Sequence, residues 1–340
     1  MKSKFPVSAL NLVPLRKGET EQDAIKNMVS LAQNVEKLGY ERYWIAEHHN
    51  APNLVSSATA LLIQHTLEHT ESIQVGSGGI MLPNHAPLIV AEQFGTMATM
   101  FPNRLNLGLG RAPGTDMMTA SALRRDSHKG VYTFGDDIKQ LLQYFGPEEQ
   151  QSYVRPYPGV DTNIPIYVLG SSTDSAHLAA RLGLPYVFAA HFAPDQMAQA
   201  IEIYRDLFEP SEYLDEPYMT VCLNVIVGET DEEATYLSST MHLMFLSIVR
   251  NARMPLQPPT DQLENIWSPQ EKYMAQSKTN TSFIGSEETV KQQLIDFQNK
   301  YNVDEIMAVS YIYDLDKQYQ SYESFKKIVD DVYGKHKKRS

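Results

Sequence analysis

Short apolar runs alternate along this chain with longer segments whose apolar residues recur every three or four positions. Residues 7–12 form the first run, and apolar side chains between residues 25 and 38 then follow helical spacing. Thr20 and Asp23 predict a capping box at the start of that helix, with Asp in place of Glu. Gly39 suits its end, because glycine readily adopts the left-handed conformation found there. The opening residues therefore predict one strand followed by one helix.

The same strand and helix unit recurs through the rest of the chain. We predict strands at residues 7–12, 42–46, 73–81, 105–110, 164–169, 186–189, 219–227 and 305–310. Strands separated by helices are typical of a parallel sheet, and eight such units in this length fit a (β/α)8 TIM barrel with insertions at its carboxyl-terminal face. A doubly wound open sheet has the same alternation and is the alternative fold.

Two of the predicted strands are rich in glycine. Gly78 and Gly79 lie in the third strand, and Gly108 and Gly110 alternate along the fourth, which ends at Arg111. Glycine within a strand usually marks a bulge or the close approach of a ligand or another backbone. These strand ends predict room for a flat, anionic ligand, although small residues also suit a crowded barrel interior.

The second predicted strand delivers Glu47, His48 and His49 to its carboxyl end, which is where barrel enzymes build their active sites. This placement favours the barrel over the open sheet. Because neighbouring side chains of a strand point in opposite directions, at most one of the two histidines is expected to face the barrel mouth. A histidine there suits acid–base work or hydrogen-bond donation, and one bonded to the backbone is the alternative.

We expect no metal site and no disulfide. No second convergent set of histidine and aspartate stands at another predicted strand end, and His65 and His69 share the face of a helix predicted to lie outside the barrel. Cys222 is the single cysteine, which excludes an intramolecular disulfide and disfavours cysteine-based zinc binding. Its apolar neighbours predict a small core residue rather than a nucleophile.

The junction between the fifth strand and its helix predicts an anion site. Its small residues are Gly170, Ser171, Ser172 and Ser175. Backbone N–H groups at a helix start, with hydroxyls beside them, suit a phosphate, and Arg111 reaches the same edge from the preceding strand. Asp174 lies in the same turn, and a carboxylate there satisfies the same donors if it caps the helix. No Gly-x-Gly-x-x-Gly or Gly-Lys-Ser/Thr motif supports a Rossmann or P-loop site.

Composition and hydropathy limit the partners. With 41 acidic and 29 basic residues, the formal net charge of −12 argues against general nucleic-acid binding. No stretch approaches the roughly 18 apolar residues of a membrane span, and the first residues lack the pattern of a signal peptide. We therefore expect a cytoplasmic protein without membrane or nucleic-acid partners. Residues 1–340 are expected to form a single barrel domain with an insertion at 252–284.

Together these motifs resemble the bacterial luciferase-like monooxygenase family of flavin-dependent barrel enzymes. The segments that carry the resemblance are YWIAEHH at 43–49, VGSGG at 75–79, NRLNLGLGR at 103–111, GSS at 170–172 and AARLGLP at 179–185. The resemblance extends in order over nearly the whole chain and is weakest at residues 116–158 and 253–281. We expect the residues that line the substrate pocket to come from residues 116–145 and 253–281 within these weak regions.

The resemblance implies an enzyme that holds FMN, as FMNH2, at the barrel mouth and uses O2 to oxygenate a small organic substrate, such as an aldehyde. It implies that Gly78 and Gly79 form a bulge against the flavin ring, often with a cis peptide. It assigns phosphate binding to Arg111 and the serines of the Gly170 junction, and acid–base or intermediate-stabilising work to His48. A separate flavin reductase supplying FMNH2 and a homodimer are also implied.

Other functions stay open at this level. Gly110 stands where light-emitting relatives carry a cysteine, so luminescence is not expected. The same barrel and phosphate site would suit the deazaflavin F420, which moves hydride without oxygen. A flavin-binding protein with little catalysis is the third possibility, and the presence of His48 and Arg111 argues mildly against it.

Overall fold

The structure is a computed structural model that describes residues 5–123 and 127–334. The strands are β1 Val7–Asn11, β2 Arg42–Ile45, β3 Gln74–Met81, β4 Leu105–Gly110, β5 Ile166–Gly170, β6 Tyr186–Ala189, β7 Met219–Val227, β8 Phe283–Gly285 and β9 Glu305–Val309. The α-helices are α1 Glu21–Leu38, α2 Thr59–Glu68, α3 Pro87–Met100, α4 Met117–Leu123, α5 Ser127–Phe145, α6 Thr173–Leu182, α7 Met197–Asp206, α8 Asp231–Val249, α9 Leu263–Ile266, α10 Pro269–Ser277, α11 Glu287–Tyr301 and α12 Leu315–Tyr333.

Eight parallel strands close into a barrel, which confirms the (β/α)8 prediction and excludes the doubly wound open sheet. Neighbouring strands follow the order β1-β2-β3-β4-β5-β6-β7-β9, and β9 pairs with β1 to complete the ring. All of these pairings are parallel, as strands joined by helical crossovers require. The carboxyl ends of all eight strands therefore meet at one rim.

Strand β8 was not predicted. Its three residues extend the sheet only beside the carboxyl end of β7, where Val225 pairs with Phe283. So short a strand carries no detectable periodicity, which is why the sequence pattern missed it. It follows α9 and α10, two short helices in the region between α8 and α11.

The helix ends are specified locally. Thr20 accepts a hydrogen bond from the backbone N–H of Asp23, and the Asp23 carboxylate accepts from the N–H of Thr20, so the predicted capping box is confirmed. Gly39 and Gly183 end α1 and α6 in the left-handed region, with φ of 79° and 60°. Among the described helices, none is long and apolar enough to cross a membrane.

The amino-terminal end of the barrel is closed by a buried polar network. The carboxylate of Glu305 accepts hydrogen bonds from the Ser8 hydroxyl, the Arg42 guanidinium and, at 2.7 Å, the Tyr218 hydroxyl. The Arg42 guanidinium also lies over the Tyr167 ring, 5.3 Å from its centroid. Burial alone lowers the pKa of Arg42, but the adjacent Glu305 outweighs it and raises that pKa above its ordinary value.

Candidate active site at the carboxyl end of the barrel

A cavity of about 560 Å³ opens at the carboxyl ends of the barrel strands. Its base is apolar and includes Leu10, Trp44, Leu169, Val187 and Met307. One wall is a face of α8, formed by Met244, Phe245, Ile248 and Val249. Cys222 also contributes to the lining, where burial raises the pKa of its thiol, so the predicted small buried residue stays protonated at neutral pH.

Of the predicted site residues, all but Gly79 line this cavity. They are His48, Gly78, Arg111, Gly170, Ser171, Ser172 and Ser175. They come from the ends of β2, β3, β4 and β5 and from the first turn of α6, so the fold brings together residues up to 127 positions apart, as 175 minus 48 gives. Their assignment to catalysis and cofactor binding stays a prediction.

The expected bulge is present in β3. The register against β4 shifts between Gly78 and Ile80, so Gly79 is an extra residue, and the Gly78–Gly79 peptide is cis. A Cβ added to Gly78 would lie 2.6 Å from Leu10 Cδ1, and one on Gly79 would lie 2.6 Å from the Gly108 carbonyl oxygen. The Gly108 backbone therefore leaves no room for a side chain at Gly79, whereas a side chain at Gly78 would have to displace the end of the Leu10 side chain.

The amino terminus of α6 is the place where the sequence predicts an anion cradle, and this stays a prediction. Ser172 is its N-cap residue but makes no side-chain capping bond, and the Thr173 N–H donates to Gln196 Oε1 at 3.1 Å. Asp174 does not cap the helix; it pairs with Arg111 at 2.9 Å, Nη2 to Oδ2. Because these two side chains are 37% and 66% exposed, the pair is weak and an incoming anion can displace it.

His48 lines the cavity and has one buried, unsatisfied ring nitrogen. No described residue provides a hydrogen-bond partner for its Nδ1. Burial, followed by the nearby charge of Arg253, lowers the pKa of His48 to about 4. The ring is therefore neutral at pH 7, with one nitrogen that donates and one that accepts.

A second histidine, His191, was missed by the sequence analysis. It follows β6 by two residues, is 7% exposed and lines the same cavity. Its Nδ1 also lacks a partner in the described structure, and burial, with a smaller effect of His48, lowers its pKa to about 3. A lone histidine carries no local motif, so its position just beyond a predicted strand was the only available signal.

The other histidines of this rim converge on Glu47. The buried Glu47 carboxylate accepts from the Met81 N–H at 3.0 Å, and its Oε1 lies 2.7 Å from His49 Nε2 and 2.8 Å from His85 Nε2. Burial raises the pKa of Glu47, but these hydrogen bonds outweigh it and lower that pKa to about 2. The carboxylate thus ties the end of β3 to the loop that carries His48.

Glu47, His49 and His85 also have the residue types of a metal site. Their ligand atoms lie within 4.8 Å of one another, as do those of His65, Glu68 and His69 on α2. The sequence analysis overlooked His85, which supplies the convergent third group that we had found lacking. The hydrogen bonds to Glu47 account for the first cluster without an ion, and the absence of a metal site stays a prediction.

Two cations stand at the cavity mouth. Arg253 follows α8 and Lys278 follows α10, and both exposed side chains contribute to the lining. Within residues 5–123 and 127–334, neither side chain forms an ion pair or a hydrogen bond. Both lie in residues 253–281, which we expected to supply the pocket.

The other expected pocket region, residues 116–145, does not line this cavity with any described residue. Instead it borders a separate cavity of about 860 Å³, on the far side of Arg111, through Phe134 and Lys139. The expectation is therefore wrong for the described side chains of this region, and the side chains of residues 124–131 lie outside the described part. α5 packs against α3 and against the turn at residues 82–84.

Comparison with known proteins gives a consistent result. The sequence pattern described as "luciferase-like monooxygenase" matches residues 4–301. The protein YddN of Bacillus subtilis (strain 168) is 48% identical over 332 residues, which cover 98% of each chain. A luciferase-like monooxygenase of Escherichia coli (strain K12) is 40% identical over 327 residues, 96% of this chain and 98% of its own. The solved structure of apo-MsnO8 has a TM-score of 0.90 at 29% identity, covering 96% of this chain and 98% of its own.

More distant structures share the barrel but differ in cofactor. The oxygenating constituent of 3,6-diketocamphane monooxygenase from Pseudomonas putida, solved with FMN, has a TM-score of 0.73 at 17% identity, covering 98% and 100% of the two chains. An F420-dependent secondary alcohol dehydrogenase has a TM-score of 0.66 at 14% identity, covering 96% and 98%. The fold alone therefore does not decide between the two cofactors.

Proposed function

This chain belongs to the luciferase-like monooxygenase family, and we propose that it is an FMN-dependent monooxygenase that uses FMNH2 and O2 to oxygenate a small organic substrate. One observation carries the proposal. A single cavity joins strand ends occupied by glycine, a predicted anion cradle with an arginine, and a partly buried histidine that has an unsatisfied nitrogen.

The residues present fit FMN. Gly78 and Gly110 leave the cavity wall without side chains, as the close approach of a flat ring requires. Arg111, Ser171, Ser172 and Ser175 would hold the phosphate at the amino terminus of α6, where N–H groups and the helix dipole favour an anion. We infer that the phosphate displaces Asp174 from Arg111, since their exposed ion pair is weak.

Bound FMNH2 would supply the two electrons that activate O2, so that one oxygen atom enters the substrate and the other leaves as water. His48 would donate or accept a proton beside the reacting atoms through its imidazole ring, which lines the cavity. The apolar wall of α8 would exclude water from the reaction. Glu47 would position His48 by fixing the loop between β2 and α2.

We further propose that a separate flavin reductase supplies FMNH2, that the active form is a homodimer and that the protein works in the cytoplasm. F420-dependent hydride transfer is the alternative activity, because the same cradle suits the phosphate of either cofactor. A non-catalytic flavin-binding protein is the third reading.

Titration of the purified protein with FMN, anaerobic FMNH2 and F420 tests the cofactor. We expect FMNH2 to bind most tightly, and Arg111→Gln to weaken that binding about 10- to 100-fold, because a charge-assisted hydrogen bond to phosphate is lost. Lys26→Gln on α1 is the control with the same change of charge and should bind as the unmodified protein does. Preference for F420, or binding of neither cofactor, would overturn the proposal.

Oxygen uptake then separates catalysis from simple binding. FMNH2-loaded protein is mixed with O2 and a panel of substrates, aldehydes first, and the oxygenated product is measured. Product formation above the rate of free FMNH2 oxidation supports a monooxygenase. Tight FMNH2 binding with no product from any member of a broad panel would favour the flavin-binding protein.

A further inference from the structure

The mouth of the cavity carries more positive charge than the cofactor site uses. Arg111 lies at the end of β4, beside the anion cradle of α6. Arg253 and Lys278 come from a different part of the chain, the region between α8 and β8. In the part of the chain that the structure describes, only Arg111 of these three has an ion-pair partner. Two unpaired cations in a protein of net charge −12 indicate a place for an anionic group.

An apolar surface lies next to these cations. Met244, Phe245, Ile248 and Val249 lie on α8, only a few residues before Arg253, and line the same cavity. Met244 and Phe245 are buried, whereas Ile248 is 46% exposed towards the entrance. The cavity thus passes from an apolar interior to a charged mouth, which suits a molecule with an apolar body and a charged head.

Arg253 lines the same cavity as His48, the proposed reacting group. An anionic head bound by Arg253 would hold the remainder of the molecule inside the cavity near His48. The cations would therefore position the substrate as well as attract it.

Resting on the proposed function, we propose that the substrate is an organic acid whose carboxylate binds Arg253 and Lys278 while its apolar body packs against α8. Arginine matches a carboxylate with two parallel hydrogen bonds, and lysine adds a point charge. The uncharged amide or ester of the same acid would fit the apolar wall but would leave both cations unsatisfied. The protein would discriminate between the acid and its uncharged analogues by the head group and not by the apolar body of the substrate.

Calorimetric titration with a matched pair of probes, octanoate and octanamide, tests this assignment on FMN-loaded protein. The probes have the same chain and nearly the same size, so a difference in affinity reports the charge. We expect octanoate to bind about 10-fold more tightly at low salt, with the difference shrinking as salt is added. In Arg253→Gln/Lys278→Gln the difference should disappear while octanamide affinity is unchanged.

Two controls make the result specific. Lys26→Gln/Lys37→Gln removes the same charge from α1, away from the cavity, and should retain the preference for octanoate. Arg253→Lys retains the positive charge and should keep most of the preference for octanoate. Urea unfolding of each variant establishes that the fold is intact, as expected for exposed side chains.

Equal affinity of the unmodified protein for both probes would overturn the inference. So would a loss of FMN affinity in Arg253→Gln/Lys278→Gln as large as that of Arg111→Gln, because the cations would then serve the cofactor phosphate. Failure of the proposed function gives a different result. The protein would bind no FMN while still preferring octanoate over octanamide.

Discussion

The central buried polar groups at the two ends of this barrel are paired to different extents, although Arg42 Nε at the amino-terminal end also lacks a partner. At the amino-terminal end, the Glu305 carboxylate is satisfied by Ser8, Arg42 and Tyr218. At the carboxyl end, the Nδ1 atoms of His48 and His191 are buried without a described partner. Both sets lie on or beside the same eight strands, so the difference does not arise from the fold.

An unsatisfied buried polar atom costs free energy, and a folded protein keeps such atoms where something else uses them. We therefore expect the Glu305 network to serve mainly stability, and the rim that carries the two histidines to serve mainly ligand binding. Barrel enzymes in general divide stability and function between the two ends in this way. Each prediction below changes one end of the barrel.

The largest expected effect is on stability. Glu305→Leu leaves the Arg42 guanidinium buried without its counter-charge and should lower the free energy of unfolding by about 3–5 kcal/mol. Urea unfolding measures the loss, and FMNH2 affinity of the folded fraction should not change. Arg42→Met/Glu305→Leu should recover most of the stability, whereas Lys327→Gln, in an exposed ion pair, should have no resolvable effect. A stable Glu305→Leu protein with weakened FMNH2 binding would contradict the division between the ends.

The next effect is on turnover. His48→Asn should lower kcat about 100-fold or more, because it removes the group that exchanges a proton beside the reacting atoms. Stability at pH 7.5 should hardly change, since the replaced nitrogen had no hydrogen bond to lose. His242→Asn is the matched control. The pKa of His242 is also lowered to about 4 by burial, but its ring packs on Trp267 outside the cavity. An equal loss of turnover in both variants would remove His48 from the mechanism.

A smaller effect appears in the pH dependence of stability. The folded protein holds His48 and His191 neutral down to about pH 4 and 3, whereas the unfolded chain protonates them near 6.5. Acidification from pH 6.5 to 5 should therefore cost roughly 2 kcal/mol per histidine.

The hydrogen-bonded Glu47 contributes in a lower range. Its pKa is about 2 in the folded protein and 4.5 in the unfolded chain, so its stabilisation is lost only as the pH falls below about 4.5.

Urea unfolding midpoints at pH 7, 6 and 5 test the effect of the two histidines. The midpoints should fall less steeply with pH in His48→Asn/His191→Asn than in the unmodified protein. If the midpoint falls equally with pH in both proteins, the histidines take up protons as readily in the folded protein as in the unfolded chain.

The smallest effect concerns the cradle. Asp174→Asn removes the carboxylate that pairs with Arg111 and repels a phosphate, and FMNH2 affinity should rise a few-fold. Fluorescence titration measures the change. Asp136→Asn, on α5 and away from Arg111, should leave affinity unaltered. Weaker binding in Asp174→Asn would mean that the carboxylate orients the arginine for the cofactor.

Most of the fold was predictable because its signals are local. Apolar runs and helical spacing identify each β/α unit, and Gly39 ends its helix as predicted. The bulge at Gly78 and Gly79 was anticipated from glycine content together with family resemblance. Strand β8 was missed because three residues carry no period.

The site was predictable only in part, because residues that are far apart in the sequence come together only in the folded barrel. Residues that stand in motifs, such as His48 and Arg111, were found. His85 and His191 are single histidines without a local pattern, and only closure of the barrel brings them to the rim. Residues 116–145 were assigned to the pocket on weak resemblance alone, and none of their described side chains lines it.

The extra residue in β3 has a consequence for how the strand can be edited. Gly76 and Gly78 face Trp44 inside the barrel, and beyond the bulge Ile80 packs outward while Met81 reaches the cavity. Inside and outside would alternate in the same way if Gly79 were deleted. The bulge thus adds one residue to β3 without changing which side chains point into the barrel. A deletion of Gly79 is therefore expected to preserve the pairing of the sheet and to change only the shape of the cavity wall at the bulge.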